Sequence, residues 1–115
     1  MAFTRVLAQA TVSDLERAIG WYATLFGRQP DARPMPGLVE WHFGKSHGVQ
    51  VWVEPDRAGN SSMVLEESDL DALIARLDKA GLDHVPAEDV TASRILALVD
   101  PDGNRIVVSG AFANA

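Results

Sequence analysis

Two stretches of the chain carry apolar residues at helical spacing: Leu15, Ile19, Tyr22 and Phe26 in the first, Leu70, Leu73, Ile74 and Leu77 in the second. Each stretch starts on the same tripeptide, Ser13-Asp14-Leu15 and Ser68-Asp69-Leu70, fifty-five positions apart, and each stops at a glycine, Gly27 or Gly81. Ser13 with Glu16 has the form of a capping box, and Ser68 with Asp71 a weaker one because Asp reaches back less far. The glycines suit left-handed helix terminators. Before each helix the pattern changes to alternation. In 5–12, Val6, Ala8, Ala10 and Val12 share one face while Arg5, Leu7, Gln9 and Thr11 share the other, which predicts a half-buried strand. Residues 62–66 repeat that element before the second helix.

After each helix the pattern predicts a hairpin: 38–43 with 49–53 around Gly44 to Gly48, and 94–99 with 105–109 around Asp100-Pro101-Asp102-Gly103-Asn104. Residues 29–36 and 84–91 are rich in Pro and Asp, so each is expected to hold a short irregular edge strand. The order is therefore βαβββ twice, an α+β chain. It is expected to form a single domain with one module at about 1–54, a linker at 55–61 and a second module at about 62–115. Two copies of one motif, each with a helix on one sheet face, imply pseudo-twofold symmetry and a second face free for a ligand.

Composition narrows the function. The chain has 115 residues, 47% hydrophobic and 23% charged, enough for one buried core. Its formal net charge of −6 has the wrong sign for gripping phosphate backbones, so nucleic acid is not an expected partner. It has no cysteine, which removes disulfides and thiolate chemistry and leaves the redox compartment unreadable. No apolar run approaches the roughly 20 residues of a membrane span. The amino terminus has no signal-like pattern, and the expectation is a cytoplasmic protein.

The segment VSDLERAIGWYATLFG at the start, with DPDGN before the last strand, resembles the vicinal oxygen chelate superfamily of glyoxalases, extradiol dioxygenases and bleomycin-resistance proteins. The resemblance covers the whole chain. It implies two βαβββ modules forming a curled, mixed-sheet half-barrel with helices on the outer face, and a homodimer. It also implies four metal-ligand positions, one on each of four strands, and here these fall on Leu7, Gln50, Ser62 and Val107. Leucine and valine cannot coordinate, serine is a poor neutral ligand, and Gln50 is the one donor of use. A register slip on the first strand offers only Ala8 or Gln9. Neither metal nor other cofactor is expected.

If Leu7 marks the pocket face, alternation assigns the rest. Gln9, Glu40, His42, Gln50, Trp52, Glu66 and Arg105 become the candidate ligand-binding residues, with Arg5, Thr11, Glu54, Ser62, Val64, Val107 and Ser109 on the same faces. A mixed wall with an aromatic plate suits a small molecule, aromatic or cationic. Each residue also has a plainer role: Trp52 as a plug at a dimer seam, His42 as a surface hydrogen-bonder, Glu54 and Glu66 as solvated charges, Arg105 as a surface partner of Asp100 or Asp102. Of Trp21 and Tyr22, adjacent on the first helix, one faces the core and the other is free to meet a partner subunit. His47 and His84 stand in turn-like contexts without a role.

The sequence therefore points to a metal-independent small-molecule-binding protein, with drug sequestration as its use. The alternatives are a lyase, isomerase or dioxygenase using Gln9, Gln50, His42 and Glu66 as atypical ligands, a metal-free catalyst with His42 as base, or a dimer whose pocket is vestigial.

Overall fold

Strand alternation and the two apolar stripes translate directly into elements. The computed structural model describes residues 2–91 and 93–110. Among them run β1 (Val6–Val12), α1 (Leu15–Phe26), β2 (Ala32–Met35), β3 (Leu38–His42), β4 (His47–Val53), a 3₁₀ turn (Pro55–Arg57), β5 (Ser62–Glu66), α2 (Leu70–Ala80), β6 (Glu88–Asp89), β7 (Arg94–Val99) and β8 (Arg105–Gly110). The two edge strands expected in the Pro- and Asp-rich segments are present as β2 and the two-residue β6. Each half of the chain makes its own open four-stranded mixed sheet, β1-β4-β3-β2 and β5-β8-β7-β6. In each, the first strand runs parallel to the last and the remaining pairs are antiparallel.

One face of each sheet is covered by its helix. In the first half, Ala10, Val12, Val39, Trp41, Val49 and Val51 lose essentially all solvent contact against the stripe of Ile19, Tyr22 and Leu25. Trp41 is the largest piece: its ring stands 6.1 Å from that of Tyr22 and 5.3 Å from that of Phe26, and its indole N–H donates to Arg28 O at 2.9 Å. In the second half, Met63, Leu96, Leu98, Ile106 and Val108 are buried with Leu70, Leu73 and Leu77. Val6 departs from its helix-facing expectation, being 71% exposed. Val6 borders a cleft, with Leu25 and Phe26 from the end of α1 in its wall.

The helix ends correct one detail of the sequence reading. The caps are Asp14 and Asp69, whose carboxylates accept from Arg17 N and Ala72 N, in place of Ser13 and Ser68. Ser13 is unavailable as a cap because its hydroxyl donates to Asp102 of the β7–β8 turn. Gly27 (φ 77°) and Gly81 (φ 75°) end the helices in the left-handed conformation, as expected. Arg76 of α2 donates to Thr24 O and Leu25 O, both at 2.7 Å, so a cation of one helix satisfies the last carbonyls of the other.

The two halves are joined by the DPDGN turn. Asp100 and Asn104 are buried polar residues, 3% and 0% exposed. Asp100 accepts from Tyr22 Oη at 2.7 Å, from Asn104 Nδ2 at 2.7 Å, and from the backbone N–H groups of Asp102 and Asn104. Burial and the hydrogen bond to Asp100 push the Tyr22 hydroxyl far above the usual phenol range, so it remains the donor. Asn104 Nδ2 also donates to Thr11 O of β1 at 2.8 Å, and its Oδ1 accepts from Ser61 N at 2.7 Å. Ser61 Oγ in turn accepts from Thr11 N. Gly59 lies against this turn with φ 86°, where a Cβ would sit 2.3 Å from Asp102 O, so only glycine fits there. Replacing Asn104 with Ala leaves Ser61 N without its acceptor, takes a donor from Asp100 and leaves Thr11 O with Gly59 N–H as its partner, and is expected to lower the unfolding free energy by about 3 kcal/mol. Asn60→Ala, at an exposed amide of the neighbouring segment before β5, is expected to cost under about 0.5 kcal/mol. Chemical denaturation of both variants checks the difference.

Candidate functional site

Pairing register shows which side chains the first sheet presents away from α1. Three rows cross β1, β4 and β3: Leu7 with Gly48 and His42, then Gln9 with Gln50 and Glu40, then Thr11 with Trp52 and Leu38. Residues in register share a face, so the middle row lines up two amides and a carboxylate. They are bonded in sequence. Gln9 Nε2 donates to Gln50 Oε1 at 2.6 Å, and Gln50 Nε2 donates to Glu40 Oε2 at 2.9 Å. The other Glu40 oxygen accepts from His42 Nε2 at 2.8 Å and Arg5 Nη2 at 3.2 Å.

Glu40 is the centre of this network and is nearly closed off, with 7% of its side chain exposed against 41% for Arg5 and 33% for His42. Its carboxyl is held below the ordinary carboxylate range, first by the His42 hydrogen bond and then by Gln50 and Arg5, against desolvation that pushes the other way. His42 is held in place through its backbone: its N–H donates to Asp31 at 2.6 Å, and its carbonyl accepts from Arg28 at 2.6 Å. Asp31 is itself kept below the usual range, chiefly by that backbone N–H and then by Arg28.

Four of the residues picked from the sequence, Gln9, Glu40, His42 and Gln50, are thus one bonded group. Trp52 stands on the same face one row away, partly exposed, its ring 3.6 Å from where a Cβ on Gly37 would lie. Glu66 and Arg105 belong to the second sheet and take no part in the network. Arg105 is exposed and forms no ion pair among the described residues; Asp100 is taken by Tyr22, and Asp102 by Ser13 and Arg17. Thr11, expected to point into a pocket, is 5% exposed. Of the helix pair, Tyr22 faces the core and Trp21 is half-buried. His84 bonds Asp78 at 2.6 Å and the carbonyl of Val85 at 2.8 Å, far from this face in sequence.

A separate cleft of about 800 Å³ opens between the two halves. Val6 and Ala8 stand on one side and Leu65 and Glu66 on the other, with Leu25, Phe26 and Phe43 among its apolar walls and Arg28 and Arg76 on its rim. Of the seven chosen residues, Glu66 lines it. Phe26 and Arg28 come from the end of α1, Phe43 from the β3–β4 hairpin and Arg76 from the middle of α2, and no local pattern brings these four together. Arg5 and the Glu40–His42 pairing had a signal: positions i and i+2 of a strand share a face.

The donor set does not fit a metal. Leu7 and Val107 carry no ligating atom, and among the described residues no three His, Asp or Glu side chains converge. Glu40, the best-placed carboxylate, already has its oxygens occupied by three donors of the chain itself.

Comparison with known proteins places this geometry. A solved glyoxalase/bleomycin resistance protein from Catenulispora acidiphila superposes with a TM-score of 0.88 at 24% identity, over 96% of this chain and all (100%) of that one. TnmS3, an antibiotic binding protein from Streptomyces sp. CB03234, gives 0.81 at 26% identity over 97% of this chain and 99% of its own. A bleomycin-binding protein solved in complex with bleomycin gives 0.78 at 18% identity, over 96% and 100%. No curated protein matches. The sequence matches the family described as Glyoxalase-like domain over residues 6–109, nearly its whole length, and the chain belongs to that family, within the vicinal oxygen chelate superfamily.

Proposed function

We propose that this protein binds a small planar molecule without the help of a metal, on the helix-free face of its first sheet, and sequesters it in the cytoplasm in the manner of a drug-binding protein. The observation that carries this reading is the connected Gln9–Gln50–Glu40–His42 network beside the partly exposed ring of Trp52. Ordered polar groups next to an aromatic plate are what orient a flat ligand. The antibiotic-binding neighbours agree with it. Quenching of tryptophan fluorescence across a panel of planar antibiotics is the direct test. A ligand from that panel is expected to raise the melting temperature by mass action, and Trp52→Ala to weaken its binding about tenfold or more. Unchanged affinity in that variant removes Trp52 from the site, and recovery of the ligand unaltered separates storage from turnover with His42 as base.

The competing reading, a lyase, isomerase or dioxygenase with Gln9, Gln50, His42 and Glu66 as ligands, has against it that Glu66 lies on the other sheet and that both Glu40 oxygens are already engaged. Elemental analysis of protein purified without chelators is expected to give no stoichiometric Mn, Fe, Ni or Zn; one equivalent of any of them reverses the choice.

The same proposal includes a homodimer. Val6, Val64 and Phe43 are 71%, 67% and 41% exposed around the cleft, apolar surface that a second copy would cover. The radius of gyration is 14.4 Å, whereas a compact chain of this length has about 13 Å. Sedimentation equilibrium is expected to return twice the chain mass of 12.4 kDa. A single-chain mass at tens of micromolar protein refutes it.

A further inference from the structure

We infer that the ligand of the first-sheet face is an anion: a planar molecule bearing a carboxylate or comparable oxyanion roughly 7 Å from the ring that lies on Trp52, one strand row away. This deepens the binding reading above and rests on it. The residue list alone, with Glu40, Glu54 and Glu66 around an aromatic plate, favours a cation. The geometry reverses the sign.

The reason is where each charge sits. Glu40 is the carboxylate of the network, and its own partners cover it, with only 7% of its side chain exposed. One oxygen accepts from both Arg5 and His42, and the other accepts from Gln50. Its negative charge is therefore matched from within the chain and shielded from an arriving ligand. The charged partner of Glu40 most open to solvent is a cation. Arg5 is 41% exposed and uses Nη2 on Glu40, which leaves further guanidinium N–H groups of its planar fork pointing elsewhere. Gln9 is exposed and donates one amide N–H to Gln50, keeping a second N–H beside its Oε1 acceptor, so it adds a neutral donor but no negative charge. Of the other acidic groups, Glu54 pairs with Arg57 at 3.6 Å, and Glu66 stands on the second sheet. A ligand laid on Trp52 and extending along β4 toward Gln50 thus meets a donor-rich edge with a cation at its end. A carboxylate there gains charge-assisted hydrogen bonds, and an ammonium group meets Arg5.

Three matched probes decide it: anthraquinone-2-carboxylate, 2-(hydroxymethyl)anthraquinone and 2-(aminomethyl)anthraquinone, titrated by tryptophan quenching and calorimetry at low ionic strength, against the intact protein and Arg5→Gln. The carboxylate is expected to bind about tenfold or more tighter than the ammonium probe, and Arg5→Gln is expected to bring the two within about threefold. Added salt is expected to narrow the difference in the intact protein. Equal binding of the three, or tighter binding of the ammonium probe, overturns the inference while leaving a planar-ligand site standing. A carboxylate preference that survives Arg5→Gln also overturns it, because the anion then sits elsewhere. Binding of none of the three removes the planar-ligand reading itself. Arg5 precedes β1 and is half-exposed, so a folded variant is expected, and its circular dichroism and melting curve confirm that.

Discussion

The fold turns on a single buried carboxylate. Asp100 sits at the junction of the two halves and accepts four hydrogen bonds, from Tyr22 of the first helix, from the Asn104 amide, and from two backbone N–H groups of its own turn. A buried ion is tolerated only when it is fully paired, and here the pairing takes partners from both halves of the chain. Asn104 extends the same grip to β1 through Thr11 and to the start of β5 through Ser61. Those two strands are the inner edges of the two sheets, so the turn sets how the sheets lie with respect to each other. Gln9, two residues before Thr11 on β1, inherits its position from that anchor.

The first-sheet face repeats the same physics on a smaller scale and with a different result. Glu40 is also a nearly closed-off carboxylate with its oxygens occupied, but its partners are half-exposed instead of buried. Asp100 spends its bonds on joining segments. Glu40 spends them on orienting side chains, fixing the His42 ring, the Gln50 amide and one arm of Arg5 along an open surface. Because both oxygens are engaged by donors of the chain itself, the same carboxylate is a poor candidate for ligating an ion and a good one for organising donors.

Much of this was legible in the residues because it follows from short-range periodicity. The strand period of two assigned Gln9, Glu40, His42, Gln50 and Trp52 to one face, and the register of β1, β3 and β4 agrees with that assignment. The two helices and their glycine stops were readable from spacing and from the left-handed backbone that glycine allows. The capping serines were misread because the residue that caps a helix depends on what else competes for its hydroxyl. For Ser13 that competitor is Asp102, eighty-nine positions away in sequence.

What the amino-acid order determined alone was thus the set of elements, their duplication and the two faces of the alternating strands, since these depend on residues within a few positions of one another. Tertiary structure decided what those faces became: that Thr11 is covered, that Val6 is open, that Glu66 and Arg105 stand apart from the Glu40 network, and that the charge of Glu40 is covered by its own partners. Such outcomes depend on which distant groups arrive at the same place with a free donor or acceptor. No local pattern records that competition, because it is settled only when the two halves close on each other.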